Sequence, residues 1–291
     1  MKKWKKILLI LGISISLLGA LLAVIGFIND GFGYIQEYTK REGSFTEKKL
    51  EDFDKIAINS SNYHFVIQEG QDNEAKISYY QQEKTPLKVS VKNHQLDIYA
   101  HSDIQINVFK LSDFTALISD QQDTNTVTIT VPKGVDITEL TGEMSINGLD
   151  INHLDIDRMN LSLDAGQFKL NKTTIKEWKL DVDMGSAKIT NSNLSDFRFS
   201  ADSGNLDLDN VNFTASKITM DMGNIEGNKV AFKKENRVSA SSGNIDLSLK
   251  DHNLTVTSDI DAGNKDITSA LNRSKDNFLD ISANMGDITV E

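Results

Sequence analysis

The stretch Asp202-Ser203-Gly204-Asn205-Leu206-Asp207-Leu208 decides the fold, because a glycine turn leads directly into alternating apolar residues. Variants of it recur between residues 164 and 290, and their glycines are 19 to 23 residues apart. A repeat of about 20 residues with strand-like alternation is typical of a solenoid, since one unit cannot bury its apolar face alone. The copies are centred on Gly166, Gly185, Gly204, Gly223, Gly243, Gly263 and Gly286.

The apolar positions fall into columns when the copies are aligned on their glycines. Residues two, four and about nine places after the glycine are apolar in most copies, as in Leu206, Leu208 and Phe213, and so are those three and five places before it. Each unit thus offers roughly three short strands whose alternating apolar side chains point to one face. Stacked in register, these columns form a continuous core. The predicted fold is all-β, a parallel β-solenoid (β-helix) with ~20-residue rungs.

The beginning of the chain indicates a membrane anchor. Lys2, Lys3, Lys5 and Lys6 precede residues 7–28, which carry no charge. As a helix this run spans ~33 Å, enough for a hydrocarbon core of roughly 30 Å. The basic end favours a cytoplasmic N-terminus, so we expect a single-pass anchor in the lipid bilayer with the bulk of the chain outside the cytoplasm. A cleaved signal peptide is the alternative, but the run exceeds the usual h-region and no clear Ala-x-Ala site follows it.

The domain organisation follows from these two signals. Residues 101–124 break the strand pattern with an apolar cluster of no clean period, and we interpret them as an insertion that covers an end or flank of the sheet. A docking patch for a partner is the alternative for this cluster. The predicted segments are a cytoplasmic basic end (1–6), a transmembrane helix (7–28), a juxtamembrane linker (29–52), an N-terminal β-rich part (53–134) and the solenoid repeats (135–291).

Composition excludes several classes of site and partner. The chain has no cysteine, so it cannot form disulfides, zinc–thiolate sites or thiol nucleophiles. Its formal net charge is −11, and without the four N-terminal lysines it is −15, which disfavours binding to nucleic acid and to anionic lipid head groups. Such a surface suits cations, basic partners or neutral sugars.

The residues at the repeat corner have a structural explanation. Glycine adopts positive φ without steric cost, and an Asp two residues earlier accepts hydrogen bonds from the turn. One place after the glycine stand Asn205, Asn224, Asn244 and Asn264, which we interpret as a ladder of stacked amides running from rung to rung. The glycines and asparagines are therefore predicted to be structural repeat positions.

A calcium site is the functional alternative at the same corner. Asp164, Asp183, Asp202 and Asp221 would repeat at the rung spacing, and stacked like charges favour a counter-ion such as calcium. However, the glycine-rich nonapeptide of calcium β-rolls does not occur in the sequence. The sequence therefore favours turn chemistry over a calcium site, and no other cofactor is predicted.

No catalytic constellation stands out in the sequence. The five histidines are scattered without H-E-x-x-H spacing, and neither a G-x-S-x-G elbow nor a P-loop occurs. Arg158, Arg198, Arg237 and Arg273 are the type of residue that some parallel β-helices use to cleave acidic polysaccharides, but one arginine in every second rung does not make a cleft. We therefore predict a non-enzymatic protein, with a polysaccharide lyase or hydrolase as the alternative.

The whole layout resembles the bacterial "putative adhesin" β-strand-repeat family, a domain of unknown function. The resemblance rests on the apolar anchor, the opening strand Lys55-Ile56-Ala57-Ile58 and the repeated Asp-x-Gly-Asn-Ile/Leu units, and it covers about residues 53–291. It implies a membrane-anchored β-solenoid at the cell envelope, with no family catalytic residues to carry over. We expect an adhesin-like binding or envelope-stress sensing module whose partner is an envelope glycan or a membrane protein. A purely structural spacer is a further alternative.

Overall fold

The computed structural model describes residues 44–61, 63–81, 86–100, 125–145 and 147–291, and these ranges contain β-strands and no helix. Before the repeats lie β1 (Ser44–Lys49), β2 (Lys55–Ser60), β3 (His64–Glu69), β4 (Lys76–Gln81), β5 (Lys88–Lys92), β6 (Gln95–Ala100) and β7 (Thr126–Val131). The next strands are β8 (Ile137–Met144), β9 (Gly148–Asn152), β10 (Asp155–Asn171), β11 (Thr174–Thr190), β12 (Asn193–Ser195), β13 (Phe197–Asp209) and β14 (Asn212–Thr214). The last strands are β15 (Lys217–Lys233), β16 (Glu235–Ser242), β17 (Ile245–Leu249), β18 (Thr255–Ala262), β19 (Lys265–Ile267), β20 (Phe278–Met285) and β21 (Ile288–Val290).

Each turn of the solenoid runs along a first side, bends at the repeat glycine and continues along a second side. In β10 the residues before Gly166 pair in parallel with β8, and those after it pair in parallel with β9. The short strands β12 and β14 pair with each other along a third side. The fold is thus a parallel β-solenoid, as predicted. In the central turns, one bent strand of up to 17 residues forms both the first and the second side, where the sequence predicts two separate short strands. This is possible because glycine bends the backbone at the corner without interrupting the hydrogen-bond ladder.

Register is strict through the central repeats. Gly185 pairs with Gly166 on one edge and with Gly204 on the other. Since a slip of one residue would turn every apolar side chain outward, this register keeps the predicted columns inside. Leu180 and Leu206, for example, are both completely buried.

A run of aromatic rings lies within the core. Neighbouring centroids in this run are 4.4 to 5.7 Å apart, and the last three rings are nearly parallel. Aromatic contacts of this kind add about 0.5–1.5 kcal/mol each beyond the burial of their area. The rings, all buried, are those of Phe168, Trp178, Phe197, Phe213 and Phe232.

The stacking order departs from chain order at the N-terminal end. β2 pairs in parallel with β8 on one edge and with the later strand β6 on the other. β3 lies in the same way between β9 and β7. The turn that comes first in the chain is therefore second in the stack, and β6 and β7 lie outside it. Antiparallel pairing extends this end, because β5 pairs with β6, β4 with β7 and β1 with β4.

The same exchange occurs at the C-terminal end. β20 lies between β16 and β18, and β21 lies between β17 and β19. Chain order would stack the corners of Gly243, Gly263 and Gly286 in succession, but Gly286 lies between the other two. The last turn of the chain is thus enclosed on both edges, and β18 and β19 form the outermost turn of the described part of this end.

Several predicted segments lie outside the described residues. They are the basic end 1–6, the transmembrane helix 7–28, the first part of the linker and the insertion at 101–124. Within the predicted linker, Ser44–Lys49 form β1 and pair with β4. In the ranges that the structure describes, no helix has the length and apolar character needed to span a membrane.

Candidate functional site

The repeat glycines form a corner at which the backbones of neighbouring turns are in close contact. Gly204 has a φ of +145°, and a Cβ on it would lie 1.5 Å from the carbonyl oxygen of Gly185. A side chain therefore cannot be accommodated, and glycine is required both by the φ angle and by the close approach. Gly185 itself has no φ in the left-handed range, yet its Cβ would lie 2.2 Å from a Gly166 oxygen. Similar φ values and contacts of 2.0 Å or less occur at Gly166, Gly223, Gly243, Gly263 and Gly286.

The asparagines after the glycines are linked differently from a ladder of stacked amides. The backbone N–H of Asn224 donates to Asn205 Oδ1 at 3.2 Å, and that of Asn244 donates to Asn224 Oδ1 at 3.1 Å. Asp287 takes this position in the enclosed last turn, where its carboxylate accepts the N–H of Asn264 at 2.8 Å. The side chains of this column therefore accept hydrogen bonds from the backbone of the next turn.

Ladders of side-chain amides occur instead at the following corner, which the sequence interpretation missed. Asn210 Nδ2 donates to Asn191 Oδ1 at 2.9 Å, and Asn212 Nδ2 donates to Asn193 Oδ1 at 2.7 Å. Asn191 and Asn210 also adopt φ values of 51° and 56°, a conformation that asparagine tolerates better than most residues. The amide contacts predicted for one corner thus stabilise another.

The aspartates considered as a calcium column lie on successive turns beside the glycine corner. Asp164, Asp183, Asp202 and Asp221 are all exposed to solvent. Ser241, on the turn after Asp221, donates from Oγ to Asp221 Oδ1 at 3.4 Å. Among the described residues, no three His, Asp or Glu side chains are grouped so that they would hold a metal ion. The calcium column stays a prediction from the sequence.

A polar groove crosses the first side of the solenoid near the N-terminal end of the stack. It passes over β6, β2, β8, β10 and β11, which are neighbours in the stack, so it is roughly 19 Å long. Its volume is about 550 Å³. Two rows of outward-facing residues line it: Asp97, Ala57, Thr141, Asn160 and Lys179 in one row, and Tyr99, Asn59, Glu143, Ser162 and Asp181 in the other.

The shape of the polar groove follows from the sizes of these side chains. Ala57 and Thr141 leave the middle of the floor low. Tyr99, which is 46% exposed, stands at one end of the groove, and the Lys88 ammonium lies 5.8 Å from the centroid of its ring. The other end is closed by Lys179 and Asp181. The groove is therefore open along its length and bounded at both ends.

The Lys179–Asp181 contact is an ion pair at neutral pH. Burial raises the pKa of the Asp181 carboxyl, but hydrogen bonds from Lys179 and Ser200 and the charge of Lys179 outweigh burial and hold that pKa below its ordinary value. Ser200 Oγ donates to Asp181 Oδ1 at 2.6 Å. The one lysine that lines the groove is therefore neutralised within it.

The other two carboxylates in the polar groove have no cationic partner in the described part of the chain. Asp97 accepts a hydrogen bond from Gln95 Nε2 at 2.6 Å and makes no ion pair with a described residue. The Glu143 carboxylate has neither an ion pair nor a hydrogen bond with any described residue, and its side chain is exposed. The uncompensated charge of the groove is thus negative.

The arginines considered for polysaccharide cleavage do not form a cluster. Arg158 lies on β10 between Glu139 and Glu177, beside the groove, and Arg273 lies between β19 and β20. Arg198 and Arg237 continue the row of Lys179, with Lys217 between them. Arg237 forms an ion pair with Asp280 at 3.0 Å. The side of the solenoid therefore changes from acidic and neutral side chains in the groove to a line of cations further along the stack.

Comparison with known proteins identifies the family of this solenoid. The family model described as Toastrack DUF4097 matches residues 53–291. The chain belongs to the Toastrack DUF4097 family. The resemblance to a bacterial adhesin-like repeat family of unknown function is therefore confirmed.

Solved structures similar to this Toastrack chain include proteins from Bacteroides and Parabacteroides species. One is a "putative adhesin" from Bacteroides fragilis NCTC 9343, 15% identical, with a TM-score of 0.43, covering 87% of this chain and 98% of that chain. Another is a "putative adhesin" from Parabacteroides distasonis ATCC 8503, 15% identical, with a TM-score of 0.41, covering 86% and 98%. A third, from the same strain, is called a "Putative lipid binding protein"; it is 15% identical, with a TM-score of 0.39, covering 86% and 95%. No curated protein matches the chain.

Proposed function

We propose that this chain is a non-enzymatic, single-pass membrane protein that displays its solenoid outside the cytoplasm and binds an envelope glycan through the polar groove. The observation that carries the proposal is the groove itself. It is a line of exposed amide, hydroxyl and carboxylate groups with an aromatic ring at one end, mounted on five paired strands.

The chemistry of the groove suits a ligand rich in hydroxyl groups. Asn59 and Asn160 each offer an amide donor and an acceptor, Thr141 and Ser162 offer hydroxyls, and Glu143 offers a carboxylate acceptor. These groups repeat at the spacing of the strands, so an extended chain lying across the strands meets a polar side chain at each step. Because the floor is a paired sheet above a packed core, the strands that carry these groups are held in place before the ligand binds.

The membrane anchor in this proposal rests on the sequence. The uncharged run of residues 7–28 is long enough to cross a bilayer, and the lysines before it favour a cytoplasmic N-terminus. Protease added to intact, wall-stripped cells is then expected to digest the solenoid. Full protection of the solenoid in intact cells, with digestion only after lysis, would exclude display outside the membrane.

Binding is tested by co-sedimentation of the detergent-solubilised full chain with purified cell-wall sacculi. We expect saturable binding that is lost in Ala57→Trp, because an indole would fill the floor of the groove. Ser282→Trp is the matched control, since Ser282 is a small outward-facing residue on β20 that continues the row of Asn59, beyond the groove. This control is expected to bind like the parent chain.

The other outcomes of this experiment each indicate a different function or a different binding surface. Absence of saturable binding would favour a spacer, and release of new reducing or unsaturated ends from the sacculi would favour an enzyme. Equal binding by both variants would place the recognition surface elsewhere. Loss of binding in a chelator, with recovery in calcium, would point to the aspartate column rather than to the groove.

A further inference from the structure

We infer that the ligand of the polar groove carries free amino groups, which makes it a glycan with unsubstituted amino sugars. This inference rests on the proposed function and specifies its ligand. It follows from the balance of charge inside the groove rather than from the charge of the chain as a whole.

The groove contains one ion pair and two carboxylates without a cationic partner among the described residues. Lys179 and Asp181 neutralise each other at one end, with the Asp181 carboxylate held further by the hydroxyl of Ser200. Asp97 lies at the other end and Glu143 on the middle strand, β8, and neither has a cationic partner among the described residues. A ligand that enters the groove therefore meets two carboxylates that it can pair with, whereas the lysine that lines the groove is paired and Lys88 lies against the ring of Tyr99 at the end of the groove.

The two carboxylates are spaced for an extended ligand. Asp97 lies on β6 and Glu143 on β8, and one strand, β2, separates them, so they are about 10 Å apart along the stack. The side chains between them are those of Ala57 and Asn59, which are short enough to let a chain pass. An ammonium group at each carboxylate would form a charge-assisted hydrogen bond, which is stronger than one between neutral groups.

The same charges act against acidic glycans. A uronic acid or phosphodiester placed in the groove would lie close to Asp97 and Glu143, while Lys179 is paired with Asp181 and Lys88 lies against the ring of Tyr99. Such like-charge juxtaposition is a common source of discrimination between ligands. The groove should therefore discriminate between glycans by the charge of their sugars, binding amino sugars more tightly than acidic ones.

The test uses the full chain in detergent and two chemically defined probes that share one backbone. These are a β-1,4-linked glucosamine hexamer with free amines and its fully N-acetylated counterpart. Isothermal titration at pH 6 and low salt, where the sugar amines are protonated and the carboxylates are ionised, is expected to show affinity for the free amine at least about tenfold above that for the acetylated form. Raising the salt concentration should weaken the first interaction more than the second, because partly exposed charge pairs are screened.

Glu143→Gln removes the negative charge of Glu143 but keeps the size of the side chain, so it tests the charge of the groove without changing its shape. It should reduce affinity for the free-amine hexamer several-fold and leave affinity for the acetylated hexamer unchanged. Glu226→Gln is the control, since Glu226 is an exposed glutamate on the second side of the solenoid, away from the groove. It should leave both affinities unchanged.

Failure of the inference and failure of the proposed function give different results. Equal affinity for the two hexamers, or tighter binding of the acetylated one, overturns the amine specificity while leaving a glycan-binding groove. Loss of affinity in Glu226→Gln equal to that in Glu143→Gln overturns the role of the groove carboxylates. If neither hexamer binds but sacculi bind in a manner sensitive to Ala57→Trp, the amine inference fails and the proposed function stands. If sacculi do not bind either, both fail.

Discussion

At the scale of single residues, two separate effects require glycine at the repeat corner: the positive φ and the close approach of the neighbouring backbone. Two substitutions measure these effects separately. Gly204→Ala introduces a methyl group 1.5 Å from a carbonyl oxygen at a φ of +145°. Gly134 has a φ of +72°, and a methyl group added to it would have no neighbour within 4 Å, so Gly134→Ala introduces conformational strain alone.

We expect Gly204→Ala to lower the free energy of unfolding by at least about 3 kcal/mol and Gly134→Ala by about 1 kcal/mol. The measurement is urea denaturation followed by circular dichroism. Equal losses in the two variants would mean that neighbouring turns move apart at the corner without cost.

Trp178 offers a second test at this scale. Its ring is buried between those of Phe168 and Phe197, but its Nε1–H has no acceptor in the described structure. A buried donor without a partner costs about 1–3 kcal/mol, and Trp178→Phe removes it while keeping most of the ring contacts. We expect Trp178→Phe to stay within about 1 kcal/mol of the parent in thermal and urea unfolding, because the loss of volume offsets the gain.

Phe213→Leu is the comparison for Trp178→Phe. The ring of Phe213 stacks between those of Phe197 and Phe232, with centroids 5.7 and 5.4 Å away. Its side chain has no polar atom, so its replacement removes no unpaired donor. Its replacement should cost about 1–3 kcal/mol. A larger loss in Trp178→Phe than in Phe213→Leu would show that packing of the indole matters more than its unpaired N–H.

Individual residues also show how far sequence reasoning reaches. The glycines were predictable because positive φ and close approach leave few alternatives to glycine. The second corner was not predictable, because its left-handed positions hold lysine as well as asparagine: Lys172 and Lys229 have φ values of 52° and 53°. Lysine carries no turn signal in a sequence, and here the stacking of neighbouring turns imposes its conformation.

At the scale of elements, the pairing of neighbouring strands on the first side brings polar side chains of successive turns into contact. Asp181 on β11 accepts a hydrogen bond from Ser200 on β13 and pairs with Lys179 on its own strand. Because these contacts hold its pKa below the ordinary value, Asp181 stabilises the fold above a pH of about 4. That contribution is lost as the pH falls through the lowered pKa, where the carboxyl becomes protonated in the folded state as well.

We expect Asp181→Asn to lower the free energy of unfolding at pH 7 by about 0.5 kcal/mol, since both members of the pair are partly exposed and screened by solvent. The difference between the variant and the parent should shrink as the pH is lowered from 5 towards 2. Urea denaturation across this range measures it. In Ser200→Ala, carboxyl titration by NMR should show the pKa of Asp181 moving up towards its ordinary value. A difference that grows on acidification would contradict this assignment.

Elements also show why the polar groove was not recognised in the sequence. Its rows come from β6, β2, β8, β10 and β11, and the first two are exchanged relative to chain order. The columns of the repeats could be aligned because each has the same position relative to a glycine. The strands before Gly142 share no such marker, so nothing in the sequence indicates that Tyr99 and Asn59 lie side by side.

At the scale of the whole solenoid, the enclosed turns at the two ends predict an unusual distribution of stability. Ile281 on β20 is completely buried, whereas Ile260 on the outer strand β18 is partly exposed. Ile281→Ala should therefore cost about 3 kcal/mol and Ile260→Ala about 1 kcal/mol or less, measured by urea denaturation. Equal costs would contradict the stacking order at this end.

Hydrogen exchange tests the same order without a mutation. β20 is hydrogen-bonded on both edges, and β18 only on one in the described structure. Amides of β20 should therefore exchange more slowly than those of β18, although β20 lies nearer to the end of the chain. Protection that decreases steadily towards the C-terminus would favour simple stacking in chain order.

The exchanged turns also determine how the solenoid would carry a mechanical load. In a stack built in chain order, tension on a chain end peels the outermost strand and breaks its hydrogen bonds one after another. Here β21 lies between β17 and β19, and the last residue, Glu291, exchanges backbone hydrogen bonds with Leu247 and Leu249. Pulling on this end loads two ladders together in shear. β2 and β3 are enclosed in the same way, but β1 precedes them in the chain and pairs with β4 alone. Tension from the N-terminal side would therefore peel β1 first, whereas at the C-terminal end unravelling would have to begin from strands to which no tension is directly applied.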